Sequence, residues 1–449
     1  MAFINGKWRQ GLHLEPPAGW LNDPNGLSYF NQHYHVYFQY DPKSAVGAGE
    51  KCWGHYRSRD LIHWEFTGTV FRPDILEDRS GVYSGSAIVH EDMLHIFYTG
   101  NVKEEGNHDY ITSGREANVI HVTTKDGVTM SQKQVVLRNA DYPEFCSCHV
   151  RDPKIWCENG IWYMVLGARS LENQGCVLFY KSEDLENWTY VDVVRKEDFG
   201  YMWECPDCFY IDGHRYLGLS PQGLEHEETC YQNVYASGYF NFDHCLENFK
   251  EWDKGFDFYA PQSFETPDGR RVMIGWMGIG DIPYANPTAE LGYQHCLTLP
   301  REITRDKDGS LLQSPIKELE SLRKSPLSLS DGAKKKVSLP FDLIAEVEKD
   351  FRIFLDENTK LTWSKGIISL EFHDAKVSGG RRVRKARLEE CKDLRIIADY
   401  SSLEIYLNGG SVVFSTRMYP DSETISVGAE GIAVIVYPLN TMEVKYLGE

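Results

Sequence analysis

About the first 300 residues of the chain contain one pattern five times. Each repeat has a polar segment, called a head here, followed after a turn by a second apolar run of β type. The heads are 22–26, 84–86, 151–153, 204–207 and 259–261, and the second runs are 34–40, 94–100, 161–168, 215–220 and 271–278. Successive repeats lie about 53 to 68 residues apart. Repeats near this length, each with several short strands, predict the blades of a β-propeller.

The heads contain three carboxylates, Asp23, Asp152 and Glu204, at matched points of the repeat. A single Asp or Glu in such a segment is most often a turn residue. If each head begins the innermost strand of its blade, however, the three side chains come from three blades and converge at one end of the central channel. The repeat therefore predicts a site built from several carboxylates.

A shorter repeat supports the propeller independently. The frame Ser-x-Asp-Leu-x-x-Trp occupies 58–64 and again 182–188, which is 124 residues later, and 122–127 is a degenerate copy between them. Each copy follows one β-type run and precedes another, which predicts the turn before an outer strand. We expect Trp64 and Trp188 to pack within their blades and not to bind ligand.

The last part of the chain departs from the blade repeat. At 449 residues the chain exceeds the usual size of a single core. After about residue 330 closely spaced β-type runs follow, with a hairpin signal, Asn-Gly-Gly, at 408–410. These features predict an all-β protein with a five-bladed β-propeller over 1–305 and a C-terminal β-sandwich over 331–449. The segment 306–330 is expected to be a linker with a short helix, for which 314–323 is the best candidate.

The composition argues against two classes of partner. A formal net charge of −19 disfavours nucleic-acid binding, which needs clustered Lys and Arg. No apolar stretch approaches the roughly 20 residues that span a bilayer. The segment 1–9 lacks the basic and then apolar build of a signal peptide. We therefore expect a cytoplasmic protein with no membrane or nucleic-acid partner.

The cysteines and short motifs predict neither a metal nor a cofactor. The 11 cysteines are scattered, which favours reduced thiols in a chain without an export signal. Cys205 and Cys208 have the spacing of a zinc or redox pair, but no second pair completes a metal site. Phosphate-binding glycine loops, dinucleotide fingerprints and zinc-protease motifs are absent from the sequence.

Carboxylates in this arrangement suit the hydrolysis of glycosidic bonds. That reaction needs one carboxylate as nucleophile or base and one carboxylic acid that protonates the leaving oxygen. Asp23 and Glu204 are the natural pair. Local amides are expected to keep Asp23 ionised, and apolar neighbours are expected to keep Glu204 protonated. Arg151 is expected to hold Asp152 as an anion that binds sugar hydroxyls or balances positive charge.

At these residues the chain resembles glycoside hydrolase family 32, which contains invertases, sucrose-6-phosphate hydrolases, levanases and inulinases. The segments that carry the resemblance are 20–26, 83–87, 151–153 and 203–207, with further matches in the expected order at 38–42, 52–55 and 297–302. The resemblance spans the propeller and, more loosely, the sandwich around 399–408. Several of these segments in the same order are specific for the family, whereas Arg-Asp-Pro alone would be weak evidence for it.

The resemblance implies a five-bladed propeller with a sandwich behind it, and metal-free hydrolysis of a terminal β-D-fructofuranosyl bond with retention. It implies Asp23 as the nucleophile, Glu204 as the acid/base and Asp152 as a stabiliser of the transition state. For retention, the Asp23 and Glu204 carboxyl groups should lie about 5–5.5 Å apart. The residues expected to bind substrate are Trp20, Asn22, Gln39, Trp53, Tyr83, Ser84, Arg151 and Trp276.

The expected substrate is a small fructoside, either sucrose or its 6-phosphate. Three alternatives stay open: an exo-acting fructan hydrolase, an inverting arabinan- or xylan-cleaving propeller, and a fructan-binding propeller without activity. Family members often carry Trp about eight residues after the Gln, where this chain has Gly47 in a glycine-rich loop. A phosphate would need Arg, Lys or His at the pocket mouth, for which His13 and Lys51 are candidates.

Overall fold

The computed structural model describes residues 6–447, most of which lie in β-strands. The first sixteen strands form four antiparallel sheets, each from four consecutive strands. They are β1 (Gly19–Phe30), β2 (His33–Asp41), β3 (Cys52–Ser58), β4 (His63–Phe71), β5 (Val82–His90), β6 (Met93–Lys103), β7 (Arg115–Thr124), β8 (Gln134–Leu137), β9 (Cys146–Glu158), β10 (Ile161–Ser170), β11 (Gly175–Ser182), β12 (Thr189–Arg195), β13 (Met202–Ile211), β14 (His214–Gln222), β15 (Gly238–Asn241) and β16 (Glu247–Glu251).

A fifth sheet follows, and one short strand from this region returns to the first sheet. The strands are β17 (Tyr259–Glu265), β18 (Arg271–Met277), β19 (Tyr293–Gln294), β20 (Cys296–Leu297), β21 (Arg301–Arg305) and β22 (Leu311–Pro315). Strands β17, β18, β21 and β22 lie side by side, and β20 pairs with β18. Strand β19 instead pairs in parallel with β1, which joins the end of the series to its beginning.

Every head falls on the first strand of its sheet, and every second run falls on the second strand. The first strands are β1, β5, β9, β13 and β17. Each contacts the next in this order and β17 contacts β1, so the five strands form a closed ring. The predicted propeller is therefore confirmed. The number of blades stays a prediction from the repeat, and the ring of five inner strands supports it.

Each of the five first strands has a one-residue bulge at its head. In β1, Leu21 pairs with Tyr40 and Pro24 pairs with Phe38, so two residues between the pairs on β1 lie opposite one residue on β2. The same interruption occurs at the heads of the other four sheets. Three bulge residues, Asp152, Cys205 and Ala260, have φ between +47° and +63°. A bulge bends its strand and re-aims side chains, which suits a position next to a site.

The register corrects the alignment of the three carboxylates. In β13, Glu204 is itself the last paired residue before the bulge. In β9, Asp152 is one residue after the last paired residue, Arg151, and in β1, Asp23 is two residues after the last paired residue, Leu21. The acids therefore occupy three consecutive positions and not one equivalent position. Because all three strands carry the same bulge, the bulge does not cause this difference. An alignment of the second runs places each head only to within one or two residues, and the strand pairing resolves the positions.

The shorter repeat forms one turn three times, between the third and fourth strands of the first three sheets. The Ser58 hydroxyl accepts two backbone N–H groups in the first copy, and the same bonds recur at 124–127 and 182–185. Trp64 is buried, and Trp188 packs against the buried cluster of the third sheet. Their predicted packing role is confirmed.

The remaining residues form a sandwich of two six-stranded sheets, ordered β23-β34-β25-β30-β31-β32 and β24-β33-β26-β27-β28-β29. Buried Leu, Ile, Val and Phe side chains of both sheets share one core. The strands are β23 (Leu327–Leu329), β24 (Lys334–Ser338), β25 (Phe341–Glu346), β26 (Phe351–Leu355), β27 (Thr359–Ser364), β28 (Ile367–Phe372), β29 (Val383–Arg387), β30 (Asp393–Ala398), β31 (Ser402–Leu407), β32 (Val412–Arg417), β33 (Thr424–Glu430) and β34 (Val434–Pro438).

The last strand and the helices are short. Strand β35 (Glu443–Tyr446) returns to the propeller and pairs in parallel with β4. Within residues 6–447, no helix is long and apolar enough to cross a membrane. The helical segments are 3₁₀ turns at Leu76–Asp78, Asn139–Asp141, Pro287–Leu291, Lys317–Leu322 and Asn408–Gly410 and one α-helical turn, α1, at Ala375–Ser378.

The structure places two strands, β22 and β23, in the segment 306–330 that was expected to be the linker. Strand β22 lies within 306–330 and pairs with β21 as the outer strand of the fifth sheet. It satisfies backbone groups of β21 that would otherwise form an open edge. The 3₁₀ turn at Lys317–Leu322 follows before β23. We propose that the propeller extends to Pro315 and that 316–326 is the linker.

Propeller and sandwich share a buried, charged interface. Arg301 of β21 donates to Glu404 of β31 at 2.7 Å and to Asp253 at 3.2 Å. His13 bridges Asp399 and Glu404 at 2.7 and 3.0 Å. Burial lowers the pKa of His13, but the two carboxylates more than offset this and raise it to about 9. Buried charges persist only when they are paired, so this network fixes how the domains sit together.

Candidate active site

A cavity of about 360 Å³ lies at the ring of inner strands. The first strands of all five sheets contribute to its wall, and the carboxylates Asp23, Asp152 and Glu204 are all in it. The chain thus gathers acids that are far apart in sequence. The lining residues are Trp20, Asn22, Asp23, Gln39, Lys51, Tyr83, Ser84, Arg115, Arg151, Asp152, Glu204, Cys205, Tyr235, Tyr259, Trp276 and Gly280.

Asp23 is held by donors from two other blades and from its own strand. Ser84 Oγ donates to Asp23 Oδ2 at 2.5 Å, and Asn22 Nδ2 donates to Oδ1 at 3.1 Å. Asn22 is itself fixed by the Trp20 indole N–H at 2.8 Å, and the Cys205 thiol lies 3.7 Å from Oδ2. Burial raises the pKa of Asp23, while these donors lower it. The donors therefore stabilise the anion in a buried place.

Asp152 is fixed by its backbone and by one carboxylate oxygen. Its N–H donates to Thr99 Oγ1, and its Oδ2 accepts the Cys205 N–H, both at 2.9 Å. Within 6–447, no group donates a hydrogen bond to Oδ1. Burial raises the pKa of Asp152 to about 7, although the charge of Arg151 lowers it. The expectation from the sequence considered only Arg151, whose charge favours the anion, whereas burial of the carboxyl group opposes ionisation.

Glu204 has polar partners, which corrects the expectation of an apolar setting. Arg151 donates to its Oε1 through Nε at 3.1 Å and Nη2 at 2.5 Å. Gln222 Nε2 and the Tyr259 hydroxyl donate to its Oε2 at 2.7 and 2.6 Å. Residues adjacent to Glu204 in sequence are apolar, but adjacent residues of a strand point to opposite faces. The actual partners come from β9, β14 and β17.

Arg151 connects the acid to a second guanidinium through a histidine. Its Nη1 lies 2.8 Å from His149 Nδ1, and Arg115 Nη1 lies 3.3 Å from the same atom. Burial and the two guanidinium charges lower the pKa of His149 to about 3. The imidazole is therefore neutral, and Nδ1 can accept the hydrogen bond of the nearer cation, Arg151.

Comparisons with known proteins place the chain in a family. Residues 13–315 match the description "Glycosyl hydrolases family 32 N-terminal domain", and residues 318–444 match "Glycosyl hydrolases family 32 C terminal". The chain belongs to glycoside hydrolase family 32. It is 37% identical over 440 residues to a sucrose-6-phosphate hydrolase of Bacillus subtilis, which covers 92% of this chain and 89% of the relative. It is 36% identical over 457 residues to a raffinose invertase of Escherichia coli, covering 95% and 94%.

Solved structures in the family share the whole architecture. A β-fructofuranosidase of Bombyx mori, solved as a mutant with sucrose, has a TM-score of 0.86 and 30% identity and covers 98% of this chain and 96% of its own. A sucrose-6-phosphate hydrolase of Lactobacillus gasseri has a TM-score of 0.86 and 27% identity, with coverage of 97% and 94%. The similarity extends over both the propeller and the sandwich.

In this family 32 chain, seven of the eight predicted binding residues line the cavity: Trp20, Asn22, Gln39, Tyr83, Ser84, Arg151 and Trp276. Trp53 does not. Its ring is fully buried against other aromatic rings, and its indole N–H donates to the Tyr83 carbonyl at 3.2 Å. Trp53 therefore supports the backbone of a residue that lines the cavity and does not line it itself.

Of the two candidates for the pocket mouth, His13 and Lys51, only Lys51 lines the cavity. His13 is buried at the domain interface and does not line the cavity, whereas Lys51 does. The loop around Gly47 lies beside both Lys51 and Trp20: a Cβ at Gly47 would be 3.1 Å from Lys51 Nζ and 3.0 Å from the Trp20 ring. The φ of Gly47 is +66°, which disfavours side chains. A bulky residue is therefore disfavoured at this part of the rim.

Several site residues were not found from the sequence. Arg115 and Tyr259 line the cavity, and His149 and Gln222 contact its charged groups. Tyr259 begins the fifth head, so the repeat already contained the signal for it. Arg115 begins a third strand and has no counterpart in the heads, so only the folded arrangement reveals it.

Proposed function

We propose that the chain is a retaining β-fructofuranosidase that releases the terminal, non-reducing β-D-fructofuranosyl unit of sucrose or sucrose 6-phosphate. The observation that carries this proposal is the convergence of Asp23, Asp152 and Glu204 in one cavity, each with a different set of donors. Relatives named sucrose-6-phosphate hydrolase and raffinose invertase, similar over nearly the full chain, support the substrate class.

In the first step, Asp23 is the nucleophile. A carboxylate oxygen forms a bond to the anomeric C2 of the fructosyl unit as the bond from C2 to the bridging oxygen breaks. Glu204 gives its proton to that oxygen, which leaves as the hydroxyl of the second sugar. Ser84 and Asn22 hold the attacking carboxylate in one orientation. Little conformational entropy of this side chain is therefore lost when the reaction occurs.

In the second step, water attacks C2 and the fructosyl ester breaks. Glu204 takes the proton from this water, and Asp23 leaves as a carboxylate. Ester formation removes the charge of Asp23, so no negative charge from that residue opposes ionised Glu204 at this stage. The donors Arg151, Gln222 and Tyr259 stabilise the carboxylate form that serves as base.

Asp152 binds the sugar without forming a bond to it. Its Oδ2 is held by the Cys205 N–H, which leaves Oδ1 to accept hydroxyl groups of the fructosyl ring. In the ionised form it also stabilises the positive charge that develops at C2 and the ring oxygen. Burial raises the pKa of the Cys205 thiol, so the thiol adds no further negative charge between the acids.

The direct test is the activity of Asp23→Ala and Glu204→Ala on sucrose. Each should lower kcat by about 10³-fold or more with the circular dichroism spectrum unchanged. Glu225→Ala, which removes an exposed loop carboxylate outside the cavity, is the matched control and should retain activity. Near-normal turnover by either site variant removes that residue from the mechanism.

A substrate with an activated leaving group separates the two roles. With 4-nitrophenyl β-D-fructofuranoside, departure needs little protonation, so Glu204→Ala should recover much of its loss in kcat/KM, which reports the first step, while Asp23→Ala stays inactive. The kcat of Glu204→Ala should stay low, because the second step still lacks its base. Equal losses on both substrates would contradict the assignment. Comparing sucrose, sucrose 6-phosphate, inulin, levan and arabinosyl substrates tests the substrate class, and a preference for arabinosides would overturn it.

We also propose a cytoplasmic location. All 11 cysteines lie in the described part of the chain as free thiols, and five of them are exposed or partly exposed. Free thiols of this kind are typical of a reducing compartment. Measuring enzyme activity in fractionated cells tests the location.

A further inference from the structure

Two cations on the cavity wall have no role in the mechanism above. Lys51 and Arg115 line the same cavity as Glu204, and Lys103, at the end of β6, is close enough for its charge to act on Lys51 and for the charge of Arg115 to act on it. The chain as a whole carries a net charge of −19. A cluster of three cations is therefore opposite to the average charge of the surface.

Within residues 6–447, none of these cations forms a salt bridge with a carboxylate. The Lys51 ammonium donates to the Gly47 carbonyl, and Lys103 lies over the Tyr110 ring at 5.6 Å. Arg115 contacts only the neutral His149 through its side chain, and its Nε is buried without a hydrogen-bond partner. Surface cations of this chain elsewhere commonly pair with acids, so these three stand apart.

The nearest acid to the lysine is already satisfied. Asp41 attracts Lys51, but its carboxylate accepts backbone N–H groups of Lys43, Ser44 and Gly49. Burial lowers the pKa of Lys51, and the charge of Lys103 lowers it further. Cations that are partly buried and repel each other are stabilised when an anion binds between them.

The place of Arg115 indicates which part of a substrate they contact. Arg115 and Arg151 both contact His149 Nδ1, and Arg151 donates to Glu204. In the proposed reaction, Glu204 protonates the oxygen of the leaving sugar. Arg115 is therefore linked through His149 and Arg151 to the acid that protonates the leaving sugar, and Lys51 lines the same cavity.

We propose that Lys51 and Arg115, with Lys103 adding charge at the rim, form a subsite for the phosphoryl group of a phosphorylated leaving sugar. This inference rests on the proposed fructosidase activity and names its preferred substrate, sucrose 6-phosphate. A sugar phosphate carries a charge of about −1.5 to −2 at pH 7 and offers three acceptor oxygens. A guanidinium and an ammonium are the groups that bind such an anion.

The test compares kcat/KM for sucrose 6-phosphate and for sucrose in the same preparations. In the unaltered chain the ratio should exceed about 10, and it should fall as ionic strength rises. Lys51→Gln and Arg115→Gln should each lower the ratio by about 10- to 100-fold, beyond any loss on sucrose itself. Lys181→Gln, which removes an exposed lysine on the outer strands of the third sheet, is the matched control and should leave the ratio unchanged.

Inhibition by the free product gives a second measurement. Glucose 6-phosphate should inhibit sucrose hydrolysis more strongly than glucose, and Lys51→Gln and Arg115→Gln should remove most of this difference. A ratio near 1 in the unaltered chain, or one that survives both substitutions, overturns the subsite while sucrose hydrolysis still supports the function. If neither sugar is hydrolysed, the proposed function itself is wrong.

Discussion

The bond from Ser84 to Asp23 gives the sharpest prediction about the nucleophile. Burial raises the pKa of Asp23, and the Ser84 hydroxyl, at 2.5 Å, is the first of the groups that counteract burial. A hydrogen bond to a charged group contributes about 1.5–3 kcal/mol, and one pKa unit corresponds to about 1.4 kcal/mol. Ser84→Ala should therefore raise the pKa of Asp23 further, by about one to two units.

The pH dependence of kcat/KM for sucrose measures this effect. Asp23 must be ionised to attack, so activity is lost as the pH falls through its pKa. In Ser84→Ala the acidic limb of the profile should move to higher pH by about one to two units. A uniform loss at all pH values, with the limb in its original place, would refute the reasoning.

The chain contains a matched control two residues away. Ser86 is equally buried, but its hydroxyl donates to the Pro153 carbonyl and accepts the Ile155 N–H. Ser86→Ala should leave the acidic limb in place, whatever it does to stability. The same shift in both variants would show that the effect is structural and not due to the bond to Asp23.

Two further predictions follow from partners that the sequence did not reveal. Tyr259→Phe removes the 2.6 Å bond to Glu204 and should lower kcat/KM by about 10- to 100-fold with an unchanged circular dichroism spectrum, so full activity would contradict a role for this hydroxyl. His13→Gln should lower the free energy of unfolding by an amount that depends on pH. The pKa of His13 is about 9 in the folded protein and 6.5 ordinarily, so its charge stabilises the fold fully below pH 6.5. This stabilisation is lost as the pH rises through 9. In denaturant unfolding, the difference in the free energy of unfolding between the unaltered protein and His13→Gln should shrink by about 3 kcal/mol from pH 6 to pH 9.5. A constant difference would contradict a charged His13.

The propeller was predictable because its signals are local. The alternation of apolar residues and the turn chemistry of segments such as 58–64 depend on neighbours in sequence, and the spacing of the heads then places Asp23, Asp152 and Glu204 on inner strands. The bulges were not predictable in the same way. They are visible only in the pairing of first and second strands, and this pairing shows that the three acids occupy consecutive positions relative to the bulge.

The partners of the acids depend on contacts between blades. Arg151 adjoins Asp152 in sequence, yet it pairs with Glu204 across the cavity. Trp53 lies in a family segment, yet its ring is buried behind Tyr83. His13 was a candidate for the pocket mouth, but the docking of the sandwich buries it between domains. No pattern within one strand encodes these contacts.

The central claim is that Asp23 and Glu204 act together in a double displacement with retention. The most direct measurement is the configuration of the first fructose released from sucrose, followed by NMR before mutarotation. Our account predicts β-D-fructofuranose as the initial product, because two successive attacks at C2 restore the configuration of the substrate. Initial release of the α-anomer would contradict it.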